Sequence, residues 1–494
     1  MVTNHKNQKG SIIALVLVFG GGALLVLGGL LGFILVQSRQ SQQKVAWENS
    51  LNLAEAGINY YRWHLIHNGN DVQDGQASCC ASPPCDTCGP YDHDYYDAAG
   101  KLIGHFFLEI TPRKICGEVL GVYVSSTGYT DQFPIYKRKV KAKYASTPVA
   151  EYSYLLNDNV WAGDDRQIYG KYFSNGGIRM DGTHNSIVSS ASPTWTCTSS
   201  FGCSSSACPE GCYQSGSSCT CDGVIGDSPN KDLWQFPVPP FDFDGLTHDL
   251  SQMKTLAQGQ GKYFPPSTDL DSSGQGYHLI LKNNGKFDIS IITSLGRILG
   301  YNIEEGWHWD YHVIQSESPY QTDVSLPADC GLIFTEDNLW VEGTIKGRVT
   351  VASANLIDEF EDTGVVLNDN LIYTNLGGDD SFSLITEKDI LISLYSPDDM
   401  VVQGVLVSQK GKSFSRNHYA CSWYPEDCKK NNLTIYGSVV SNRRVGTKWT
   451  SGSTWVSGYN QRFDYFDQKL AVNPPPLLPY VSEDLEMISW EEVQ

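Results

Sequence analysis

The chain has 494 residues, of which 55 are acidic and 35 basic, giving a formal charge of −20. That length accommodates about three domains, and a charge of that sign argues against nucleic acid as a partner. A 41% hydrophobic content builds packed cores, while 47 glycines and 27 tyrosines favour β-rich structure with many turns.

From Ser11 to Val36 there is no charged residue. A bilayer core needs about 20 apolar residues in a helix, so this run is long enough to span one. It is too long for a secretory h-region, and no small-x-small cleavage site follows it. Lysines and arginines flank it on both sides (Lys6 and Lys9, then Arg39 and Lys44) and leave its orientation open. Gly28 and Gly32, four apart, permit close helix approach. Past the span, Trp47, Leu51, Ala54, Ile58, Tyr61 and Leu65 recur at steps of four and three. This is one apolar stripe on an amphipathic helix, predicted over 37–67 as a continuation of the span.

This N-terminus resembles that of type IV pilins and pseudopilins. Lys9-Gly10/Ser11 matches the junction that a prepilin peptidase cuts in that family, and Leu53-Ala54-Glu55-Ala56-Gly57-Ile58 is similar to the helix segment of minor pilins of the PilX type. The resemblance implies a leader over 1–10 processed between Gly10 and Ser11. It implies a helix that first anchors the chain and later packs against other pilin-like subunits. The expected location is therefore that of a single-pass membrane protein with an extracytoplasmic C-terminal region, at the cell surface or in a pilus after assembly. One position departs from the family: its usual Glu at the fifth mature residue is Leu15 here, which favours a minor or tip subunit.

Residues 68–100 read as a polar loop. Three strand-like runs follow, Leu102–Thr111, Val119–Thr127 and Ile135–Tyr144, as in an antiparallel meander. With the helix they make a pilin-like unit over 68–148. The last run carries Lys137, Lys139, Lys141 and Lys143 on one face. Lysine protection of an edge strand is the expectation; docking against an acidic part of the same chain and a patch for an anionic polymer are the alternatives.

Over 149–480 one pattern, apolar-x-Gly-x-apolar-x-small, recurs around Gly170, Gly343, Gly404 and Gly437. A glycine at this position is expected to bend the strand there. Short strands without intervening helices suggest the stacked coils of a parallel β-solenoid, in two halves separated by a weaker stretch at Leu233–Pro327; a β-sandwich is the alternative. The expected fold class is thus mainly β, behind one long N-terminal helix that is transmembrane and then amphipathic. A Pro-rich run at 474–479 precedes an acidic tail over 481–494, expected to lie back along the protein.

Cysteine suggests the compartment. Cys79, Cys80, Cys85 and Cys88 form one even cluster; Cys197, Cys203, Cys208, Cys212, Cys219 and Cys221 form another within an insert at 195–222. Both sit in Ser/Pro/Gly-rich sequence that needs cross-links, so disulfides are expected, with Cys421 and Cys428 closing a third loop. Cys116 and Cys330 pair with each other or stay buried and free. Zinc is the rival reading, on Cys85-x-x-Cys88.

His308, Asp310 and His312 alternate with Trp307, Trp309 and Tyr311. Aromatics in the core and a polar face in water is the expectation; a metal site on the three polar residues and an exposed aromatic binding face are the alternatives. Asp269-x-Asp271-x-Ser273-Gly274 begins like a calcium loop, but Ile280 stands where the closing Glu belongs. No cofactor is expected, and calcium enters only as weak binding by Asp/Asn turns. Gly411-Lys412-Ser413 ends like a P-loop but lacks its first glycine, and no hydrolase or dinucleotide motif occurs.

The leading expectation is a non-enzymatic, membrane-anchored structural or adhesion subunit of a pilus-like filament. Its expected partners are other pilin-like subunits, the membrane, the prepilin peptidase, and a surface polysaccharide or host-cell surface. An anchored carbohydrate-active solenoid enzyme and an adhesin outside any filament are the alternatives.

Overall fold

The computed structural model describes residues 9–68, 71–76, 79, 86–204, 208–243, 249–358, 361–481 and 485–493. The chain forms two compact units. One is Met1–Arg113, Gly121–Ala145 and Asp484–Gln494; the other is Lys114–Leu120 and Ser146–Glu483.

In the first unit a single helix, α1 (Lys9–His67), runs through both predicted segments. Its most apolar stretch, in the first half, buries nothing. The second half packs on a sheet of β1 (Cys88–Tyr96), β2 (Leu102–Ile115), β3 (Glu118–Thr130) and β4 (Lys137–Ala145). Of the predicted stripe, Ala54, Ile58, Tyr61 and Leu65 are buried and Leu51 half-buried, whereas Trp47 stays exposed with the Arg138 guanidinium 5.1 Å over its ring. The small residues in the 53–58 segment have a steric role. A Cβ at Gly57 would strike Ser126 and Phe106, and one at Gly128 would strike the α1 backbone at Ser50 and Ala54. Paired glycines thus let helix and sheet backbones close on each other.

The sheet corrects two readings. β1 lies inside the stretch taken as a polar loop. Its Pro90-Tyr-Asp-His-Asp-Tyr-Tyr96 sequence has too few apolar residues to read as a strand. The basic β4 is not an edge. The C-terminal strand Glu486–Val493 pairs antiparallel beside it, so the acidic tail docks on the lysine stripe. Glu491 stands opposite Lys141, and Arg138 meets Glu492 at 2.5 Å.

The second unit is a stack of parallel coils with three strands per turn. On the first face, Leu332–Thr335, Arg348–Ser353, Ser381–Thr386, 405–408 and 439–441 pair in sequence, all parallel. Tyr152–Leu156 then pairs with 439–441, followed by Lys171–Ser174 and Val188–Ser190. The two halves are therefore not separated. The earlier half in sequence caps the end of the later one, and Lys262–Phe264, paired with 333–335, lies at the opposite end of the stack. Inward residues such as Ile333, Val351, Leu384, Leu406, Val439 and Tyr154 form one ladder in the main core. The other side of the same face is also covered. Phe334, Ile385, Val407 and Val440 pack under α2 (Asp249–Gly259), Leu470 and Leu478 of the Pro-rich segment.

The glycine pattern is explained at one corner. Gly404 and Gly437 pair in register with φ of 133° and 151°. Val402, before Gly404, pairs with Leu371 and Ile435, whereas 405–408, after it, belong to the first face, so the strand turns there. A Cβ at Gly437 would overlap the Gly404 carbonyl. Gly170 follows Ile168 as Gly437 follows Ile435, through Asp464 between them. Gly343 is the exception: it pairs with Leu371, two residues earlier in the coil. The closing small residue of the motif is a second ladder. Ser353, Thr386, Ser408, Ser441, Ser174 and Ser190 are buried at one corner. Each hydroxyl donates to a nearby backbone carbonyl, Ser353 to Asp337 and Thr386 to Thr363 at 2.8 and 2.9 Å. Those bonds satisfy carbonyls that the turn removes from the sheet.

The Cys-rich insert is a separate three-stranded antiparallel sheet, Thr194–Cys197, Cys212–Ser215 and Ser218–Asp222. It is tied by Cys197–Cys203, Cys208–Cys219 and Cys212–Cys221. Cys79–Cys88, Cys116–Cys330 and Cys421–Cys428 are also bonded. Cys88 is thereby unavailable to a zinc ion, and Cys80 and Cys85 lie outside the described residues.

Candidate functional site

Two features stand out from the scaffold. The first is the bare half of α1. Gly10 and Ser11 lie within the helix, which begins at Lys9. Gly28 and Gly32 are exposed, and a Cβ on either would meet nothing within 4 Å. Leu15, Phe19, Leu25 and Phe33 are likewise exposed. A row of this kind is stable in water only if lipid or other apolar helices cover it.

The second is a long hairpin, β5 (Lys286–Asn302) with β6 (Gly306–Ser325), rising from the second unit. Its middle packs through Ile292, Leu295 and Ile314 on Trp340 and Val366 of the solenoid, and the Trp340 indole donates to the His312 carbonyl at 2.7 Å. Between hairpin and solenoid lies an open cleft of about 570 Å³. Trp340, Val366 and Leu391, one above another on successive coils, form its floor.

The predicted alternation on β6 is present, with its faces reversed from expectation. His308, Asp310 and His312 line the cleft; Trp307 and Trp309, 52% and 42% exposed, lie outside it, and Tyr311, 57% exposed, borders it. The reversal has a local cause. Asn417 Nδ2 donates to Asp310 at 2.5 Å and His312 Nε2 bonds the Tyr419 hydroxyl at 3.0 Å, so the polar side finds partners in the 416–428 loop. A buried apolar face would leave those groups unpaired. His308 Nε2 lies 3.0 Å from Asp310, and His312 Nδ1 lies 3.8 Å from the same oxygen. Burial, then Arg416 and His308, lowers the His312 pKa to about 3, so the ring is neutral. Burial raises the Asp310 pKa against the pull of His308 and Asn417.

These three side chains do not converge as metal ligands. Among the described residues the one group of three close ligand atoms is Cys197, Cys203 and Cys221, each of them disulfide-bonded. The other acids of the cleft are engaged. Asp389 accepts from the Lys412 amide at 2.6 Å, Asp362 pairs with Lys410 at 2.5 Å, and Glu304 pairs with Lys412. The Asx turns act as backbone caps: Asp271 accepts from the Ser273 amide, Asp158 from Asn159 and Asp369 from Asn370. The 416–428 loop, which sets the hairpin's orientation, carried no signal in the sequence beyond its two cysteines.

No protein-family model matches the chain, and no curated protein does. Among solved structures, the crystal structure of the competence-associated pilin ComZ from Thermus thermophilus is similar over 91% of this chain and 98% of that one, at 12% sequence identity and a TM-score of 0.31. A likeness at that level assigns no function.

Proposed function

We propose that the chain is a minor, tip-placed subunit of a type IV pilus-like filament, carrying a non-catalytic β-solenoid head. The observation that carries this reading is the division of α1: one continuous helix, bare and apolar in its first half, packed on an antiparallel sheet in its second. The bare half enters the membrane after synthesis. Cleavage after Gly10 by a prepilin peptidase then frees it to pack with helices of other subunits, Gly28 and Gly32 lying at the contact. Leu15 offers no carboxylate to the buried amine of a neighbour, and an unpaired charge in an apolar core is costly. The position without such a neighbour is the tip. The engaged state of the cleft carboxylates favours binding over hydrolysis as the work of the head.

N-terminal sequencing of the membrane-purified chain from cells with active prepilin peptidase should return Ser11 as the first residue, and immunogold against the head should mark filament ends. An intact Met1 terminus rejects the processing, and labelling along whole filaments rejects the tip placement.

A further inference from the structure

The outer face of β6 is a row of large aromatic side chains held open to solvent. Isolated exposed aromatics are ordinary on a protein surface; a contiguous row is not. Trp307, Trp309 and Tyr311 are alternate residues on one strand, so neighbouring side chains repeat at about 7 Å along it. The row is widened from the side. Trp423, 57% exposed, has its ring centroid 6.0 Å from that of Trp309, while Tyr301 lies 5.6 Å from Trp307.

The rings are also pre-set. The Arg297 guanidinium lies 3.9 Å over Trp309, and Trp307 meets His418 edge-on at 81°. The loop behind is fixed to β5 by reciprocal backbone bonds between Tyr301 and His418, at 3.0 and 2.9 Å. Rings held this way lose little side-chain freedom when a ligand lies on them, which favours binding.

We propose that this face is a stacking platform for the pyranose rings of a neutral oligosaccharide. The C–H face of a pyranose presents apolar, slightly positive hydrogens to the negative face of an aromatic ring. The hydroxyls around its rim need donors and acceptors, which the indole N–H groups and the Tyr301 and Tyr311 hydroxyls of the row itself supply. Charge sets the class of ligand. Arg297, the cation touching the row, is already spent on Trp309, and the whole chain carries −20. A polyanion, whether nucleic acid or polyuronate, meets repulsion there, while a neutral sugar polymer meets none. The inference goes beyond the filament reading and stands without it.

The full chain in lipid nanodiscs, free of glycoside detergents, is titrated with cellohexaose, maltohexaose and chitohexaose. Hexagalacturonate and a short oligothymidylate serve as comparisons, with tryptophan fluorescence and calorimetry as readouts. At least one neutral hexasaccharide should bind and perturb the fluorescence. Trp309→Ala should weaken that binding about tenfold, the loss of one stacking contact. Trp63→Ala, an exposed tryptophan on α1, should leave it unchanged. Both substitutions are at exposed positions, so far-ultraviolet circular dichroism should match the parent chain. Failure of all three neutral sugars to bind overturns the proposal. So does binding that survives Trp307→Ala/Trp309→Ala, or tighter binding of hexagalacturonate or oligothymidylate than of every neutral sugar.

Discussion

Arg166 donates from Nε and Nη2 to a single oxygen of Asp464, at 2.9 and 2.6 Å, across 298 residues of sequence. The other Asp464 oxygen accepts from the Tyr154 hydroxyl at 2.7 Å, and the guanidinium lies 4.6 Å over the Tyr154 ring. All three side chains are buried. They sit where the two halves of the solenoid meet, Arg166–Ile168 beside 462–464 and Tyr152–Leu156 beside 439–441. Burial alone would depress the Arg166 pKa; the Asp464 carboxylate reverses this and holds it above its ordinary value.

Removing one partner strands a buried charge. Asp464→Ala is expected to cost about 3–5 kcal/mol of head stability. A double replacement by apolar residues, Arg166→Met with Asp464→Leu, should recover most of that loss, because it removes both desolvation penalties together. Urea unfolding followed by tryptophan fluorescence measures both, and an Asp464→Ala curve that overlays the parent would refute the assignment.

The corner glycines should tolerate nothing larger. Gly437→Ala puts a Cβ against the Gly404 carbonyl at a φ that L-residues rarely adopt, and about 3 kcal/mol or more should be lost. Gly446→Ala, with open space around it, should stay within about 0.5 kcal/mol of the parent. Thermal denaturation of the two variants side by side gives the contrast.

His312 predicts a pH dependence. Its folded pKa near 3 is below the ordinary value of 6.5. Between those values the unfolded chain binds the extra proton, so stability rises with pH. This penalty is absent above about pH 6.5 and grows as pH falls toward 3, by about 1.4 kcal/mol per pH unit for one group. Asp310, with its raised pKa, slopes the other way above its unfolded value. His312→Gln should therefore flatten the acid side of the stability profile relative to the parent. Equal slopes for both proteins between pH 6.5 and 4 would contradict the burial of a neutral ring.

The C-terminal strand covers β4. Truncation after Leu485 leaves the β4 edge without its partner, and an uncovered edge recruits other chains. In the same detergent, the truncated protein should show more concentration-dependent association by light scattering than the parent. Charge reversal at Glu491 alone should have a smaller effect, because the backbone ladder remains.

The sequence by itself determined the local features. An uncharged run long enough to span a bilayer, a stripe at helical spacing, and a glycine recurring within short strands are legible from length, period and backbone conformation within a few residues. The small residue that closes each motif copy was visible too, but not that in three of the four, at Ser174, Ser408 and Ser441, its hydroxyl caps a carbonyl. What tertiary structure decided were the pairings between distant segments. No local signal says that Tyr154 lies beside Val439, that an acidic tail runs along Lys141, or that Gly343 belongs to a different corner from Gly404. The same holds for β6. Its alternation defined two faces, but which face turns inward depended on Asn417 and Tyr419, a hundred residues away, supplying partners for Asp310 and His312. Strand alternation is blind to which side is buried; that choice rests on where the rest of the chain can satisfy buried polar groups.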